Sequence, residues 1–91
     1  MEQNIEKEYV TTIYIRDGRD VKNISNILNK FPDDIDVRKG RYMIDGKSVI
    51  GLLMFSGSFV DVYLPNYKKS TADSLIEELA EWRVNDENRN Y

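Results

Sequence analysis

The 91-residue chain contains no histidine and no cysteine. That removes the usual zinc ligand sets, the Ser-His-Asp and Cys-His nucleophile pairs, a phosphohistidine relay and any disulfide framework. It has only two prolines and five glycines, and no Gly-rich phosphate loop of the Walker or Rossmann type. No apolar run approaches the roughly 18 residues of a membrane span. Met1–Glu8 is polar and lacks the apolar core of a signal peptide. Basic residues are outnumbered, 13 against 16, and the net charge of −3 disfavours a general nucleic-acid binder, which needs a basic face for phosphates. These absences point away from an enzyme, a metal site and a cofactor. They favour a cytoplasmic protein that works through contacts.

What remains suits one small globular domain, since 41% of the residues are hydrophobic and 32% charged. Tyr9–Ile15 is wholly β-branched or aromatic and predicts a strand. The break at Arg16-Asp17-Gly18-Arg19-Asp20 offers two aspartates, either of which can cap a following helix. In that helix Val21, Ile24, Ile27, Leu28 and Phe31 form one apolar face, and Pro32 is expected to end it. Asp34–Arg38 alternates as a half-buried strand, and Lys39-Gly40 predicts a two-residue turn into Arg41–Ile44. Phe59–Leu64 alternates again, with Val60, Val62 and Leu64 on one face. Ser70 with Asp73 predicts the capped start of a last helix carrying Leu75, Ile76, Leu79 and Trp82. Residues 1–8 read as a flexible leader, 9–84 as the domain and 85–91 as a polar tail.

Between these elements lies the most apolar window, Gly46-Lys47-Ser48-Val49-Ile50-Gly51-Leu52-Leu53-Met54-Phe55-Ser56-Gly57. Its pattern leaves two readings open, a short helix capped by Ser48 or a strand paired with Phe59–Leu64. Either yields an α+β layer, with helices covering one face of an antiparallel sheet.

Lys47-Ser48-Val49-Ile50-Gly51-Leu52-Leu53 resembles the Lys-Ser-Ile-Met-Gly-Val-Met stretch around the regulatory serine of the HPr family. That family is the small phosphocarrier of the bacterial sugar phosphotransferase system. Lys30-Phe31-Pro32-Asp33-Asp34-Ile35 is similar to the end of the family's first helix and its second strand, in the same register. The likeness runs from about Tyr9 to Val84, with Lys39-Gly40 shifted by one position from the family's Asn-Gly hairpin. It implies an HPr-like open-faced β-sandwich: a four-stranded antiparallel sheet with three helices on one face, in the order βαββαβα. It also implies that the window is a short helix.

The same register departs from the family's active motif, Gly-Ile-His-Ala-Arg-Pro. Here it reads Ile15-Arg16-Asp17-Gly18-Arg19-Asp20, so Asp17 stands in place of the histidine. The expectation is a degenerate member without phosphotransfer at that site. Ser48 would remain as a regulatory phosphoserine, Arg19 as a phosphate-pairing residue, and Val49, Ile50 and Leu53 as a partner surface. The implied partners are an HPr-type kinase and a transcriptional regulator. Blander readings stand beside these: Ser48 as an ordinary helix cap, Arg19 as a solvated residue, and Val49, Ile50 and Leu53 as core. The element order also suits a ferredoxin-like or ACT-type small-molecule-sensing or protein-interaction domain. Oligomeric state is not legible.

Overall fold

A computed structural model describes residues 8–84, so most of the expected leader and the whole expected tail lie outside the described residues. Glu8, expected in the leader, opens the first strand, β1 (Glu8–Ile15). Helix α1 (Gly18–Leu28) follows, then the hairpin of β2 (Asp36–Lys39) and β3 (Tyr42–Asp45). Helix α2 (Val49–Met54) leads to β4 (Ser58–Leu64) and helix α3 (Lys69–Glu78). A 3₁₀ turn, Ala80–Trp82, precedes a two-residue strand, β5 (Arg83–Val84). Among the described residues no helix is long and apolar enough to cross a membrane.

The sheet is antiparallel throughout, with strand order β3-β2-β4-β1-β5. It therefore has five strands rather than the expected four, because Arg83 and Val84 pair with Ile13 and Thr12 on the outer edge of β1. β1 and β2 both pair with β4, so they run parallel with β4 between them. β3 and β4 likewise flank β2. The chain thus makes two interlocked split β-α-β units.

One face of this sheet is apolar. Ile13, Ile15, Val37, Val60, Val62 and Leu64 project from it and are buried against Val21, Ile24 and Leu28 of α1, Leu52 of α2, and Leu75 of α3, in one continuous core. Alternation along β4 puts Phe59, Asp61 and Tyr63 on the opposite face. There Arg38 sits 5.5 Å from the Tyr63 ring centroid, and the Thr12 hydroxyl donates to Asp61 at 2.6 Å.

Three boundary expectations are corrected. The turn is Gly40-Arg41, not Lys39-Gly40, because Lys39 pairs with Tyr42. Gly40 takes the positive φ of 60° that the first position of a II′ turn requires. Helix α1 stops at Leu28, before Pro32: Asn29 caps it, and the Lys30 and Phe31 amides bond back to Ile27 and Leu28 in a tightened last turn. Helix α3 starts at Lys69 with no side-chain cap, which leaves Ser70 inside the helix and Asp73 paired with Lys69 at 3.1 Å.

Leu52 joins α2 to the core, whereas its neighbour Leu53 is half exposed. Leu52→Ala should lower unfolding stability by about 2–5 kcal/mol through the cavity it leaves. Leu53→Ala should shift it by less than about 0.5 kcal/mol. Denaturant titration of the two variants checks the contrast.

Candidate functional site

Ser48 is set up by the turn before it. The Asp45 carboxylate accepts the Lys47 N–H at 3.0 Å, and the Asp45 carbonyl accepts the Ser48 N–H at 3.0 Å. Ser48 itself is extended (φ −89°, ψ 112°), and its Oγ accepts the Gly51 N–H at 3.1 Å. It is thus the N-cap of α2, as the helical reading of the window expected. The strand reading of that window is excluded by Val49–Met54 being helical. A Cβ on Gly51 would lie 2.8 Å from Ile44 Cδ1 and 3.3 Å from Ile44 Cβ, so α2 packs closely on β3.

Two contacts tie this end of α2 to the C-terminal end of α1. Lys47 Nζ donates to the Phe31 carbonyl, and Asn29 Nδ2 donates to the Lys47 carbonyl at 3.4 Å. At the other end, Gly18 lies against Leu53, and the Gly57 N–H donates to the Ile15 carbonyl at 2.6 Å. The two helices therefore run antiparallel, and the start of α1 sits beside the far end of α2.

This orientation separates the expected site residues. Asp17 is the N-cap of α1 and accepts the Arg19 and Asp20 amides at 3.1 and 3.3 Å. Arg19 is exposed, and among the described residues its guanidinium has no hydrogen bond or ion pair. Neither residue is joined to Ser48, whose near neighbours are Asp45, Lys47 and Asn29. The apolar residues do gather on the surface of α2. Val49 is 47% exposed, Ile50 75%, Leu53 47% and Met54 76%, while Gly51 and Leu52 are buried. Met54 belongs to this surface although the sequence reading left it out, and its place directly after Leu53 is the signal that pointed to it.

The charged anchor of the region is Asp20. Its carboxylate is buried and accepts the Arg16 backbone N–H at 2.9 Å, Arg16 Nε at 2.7 Å and Nη2 at 2.8 Å. These bonds hold the Asp20 carboxyl far below the usual range; burial opposes them, and the buried Trp82 indole favours the same ionised form. Among the described residues Trp82 Nε1 has no partner within hydrogen-bond geometry, so it acts on Asp20 as a nearby N–H dipole. Arg16 also approaches Glu81 at 3.8 Å, so the cluster ties the end of β1 and the first turn of α1 to the 3₁₀ turn. Among the described residues no three His, Cys, Asp or Glu side chains group as metal ligands.

Because the folded-state pKa of Asp20 is depressed, its contribution is complete above the unfolded pKa of about 4 and is lost as pH falls below it. Asp20→Asn should cost about 1–3 kcal/mol at neutral pH by leaving buried polar groups poorly matched. It should also flatten the acid limb of the stability profile. Urea titrations of both proteins from pH 7 down to about 2 read this difference.

Compared with family models, curated proteins and solved structures, the chain has no match.

Proposed function

We propose that the chain is an HPr-like regulatory protein whose switch is phosphorylation of Ser48 and whose output is a contact made by the α2 surface. The observation that carries this reading is Ser48 at the start of α2, half-exposed, with Val49, Ile50 and Leu53 beside it in solvent. The described residues form a small α+β fold with an open antiparallel sheet and three helices, the class of architecture on which this reading rests. The window is helical where that resemblance needs a helix.

The chemistry at Ser48 favours a phosphoryl group in three ways. The hydroxyl already serves as an acceptor for Gly51 N–H, and phosphoryl oxygens keep that role. The Val49 and Ile50 amides at the helix start have no acceptor among the described residues and form the positive end of the peptide dipoles. Lys47, next in sequence, brings a positive charge to the same turn as the Asp45 carboxylate, with its ammonium held on the Phe31 carbonyl. A doubly charged group beside the apolar α2 surface changes what can dock there. Asp17 is engaged in capping α1, which fits a protein without phosphotransfer at that position. The proposed partners are an HPr-type kinase and a transcriptional regulator, in the cytoplasm.

Incubation with an HPr-type kinase and ATP, followed by intact-mass measurement, should add one phosphoryl group to the wild type and none to Ser48→Ala. That variant should lose only about 1 kcal/mol of stability, the usual worth of a cap, so its failure to react cannot come from unfolding. No added mass on the wild type, or equal addition to both proteins, removes Ser48 as the switch.

A further inference from the structure

Strand β3 is at the end of the sheet, and on its outer side it pairs with no strand among the described residues. The two-residue turn decides which backbone groups point there. Lys39 and Tyr42 close the turn and exchange hydrogen bonds, as do Val37 and Ile44 two residues on. The N–H and C=O groups of Met43 and the N–H of Asp45 therefore point outward, while the Asp45 C=O accepts the Ser48 N–H. A bare edge of this kind is a template for another strand, and proteins usually blunt it with charge. Here the charges are of opposite sign and placed evenly about Met43. Arg41 has no side-chain partner among the described residues, and Asp45 uses one carboxylate oxygen for the Lys47 amide.

The helix-facing side of this edge is also open. A groove of about 820 Å³ runs between the hairpin and the end of α2, lined chiefly by Tyr42, Met43, Ile44, Met54 and Phe55. Tyr42 is 67% exposed at its mouth.

We propose that the occupant of this edge is a second copy of the chain, paired antiparallel through β3 about a two-fold axis at Met43. In that register Met43 of each copy exchanges both backbone hydrogen bonds with Met43 of the other. Arg41 of each copy faces Asp45 of the other, giving two ion pairs. Tyr42 faces Ile44 across the axis on the helix side and fills the groove. The order Arg41-Tyr42-Met43-Ile44-Asp45 is complementary to its own reverse, which is what a two-fold interface demands. A one-residue slip sets inward-pointing amides against outward-pointing ones, and a two-residue slip breaks both ion pairs. The product is a continuous ten-stranded sheet with the helices of both copies on the same face.

Charge exchange tests the register directly. In sedimentation equilibrium up to about 1 mM, the wild-type mass should rise from one chain toward twice that value. Arg41→Glu should weaken association at least about tenfold, since it sets two like charges against Asp45, and Asp45→Arg should do the same. Mixing the two single variants should restore a dimer, because each then presents what the other lacks. Circular dichroism and thermal melting confirm that each variant is folded. A wild type that stays monomeric at about 1 mM overturns the proposal, as does a dimer indifferent to both reversals or two folded variants that do not associate on mixing.

Discussion

A six-residue helix does not hold itself together in water, because nucleation costs more than one and a half turns can return. α2 persists because three local devices and one anchor act at once. Asp45 fixes the turn that leads in by accepting the Lys47 and Ser48 amides, Ser48 accepts the Gly51 N–H, Gly51 lets the backbone come down onto Ile44, and Leu52 is enclosed in the core. The exposure of this face follows from that arrangement. Since only Gly51 and Leu52 point inward, the other four residues of α2 have nowhere to go but solvent.

The second constraint is electrostatic. Burying a carboxylate is costly unless its charge is matched and its lone pairs are filled. Asp20 meets both conditions chiefly through Arg16, with one backbone and two side-chain donors. The arginine stays largely in water, so only one of the two ions bears the full cost of desolvation. Asp17, three residues away, does a separate job at the same helix end. The two aspartates divide the work of starting α1: one satisfies its first amides, and the other fastens it to the end of β1.

Much of this was legible from residues alone, and the reasons for the rest are specific. Strict alternation in β4 correctly put Val60, Val62 and Leu64 inward, and Val21, Ile24 and Leu28 marked the inner face of α1. The window around α2 resisted because it is apolar at nearly every position, so periodicity carried little information there; the family resemblance implied a helix, and a helix is present. At α3 the Ser70 and Asp73 pattern misled, because Lys69 holds Asp73 and the helix begins before Ser70. The two-residue β5 is too short for any pattern to mark. Ser48 as a cap could be read locally, but its distance from Arg19 depends on the relative direction of two helices, which is a tertiary property. Asp20 left a trace that was available: it lies four and eight residues before Ile24 and Leu28, on the inward face, with Arg16 four residues earlier as its counter-ion.

The interlocked topology has a consequence for how the chain reaches this state. The strand at the middle of the sheet, β4, is the fourth to leave the ribosome, and both β1 and β2 must wait for it. Thr12 finds Asp61 across 49 positions of sequence, a loop whose closure entropy has to be met before the sheet returns any stability. Until then the β2–β3 hairpin is the only strand pair among the described residues that a nascent chain can form. Synthesis and folding are therefore separate events for most of this domain, with the apolar faces of β1 and α1 left uncovered in between.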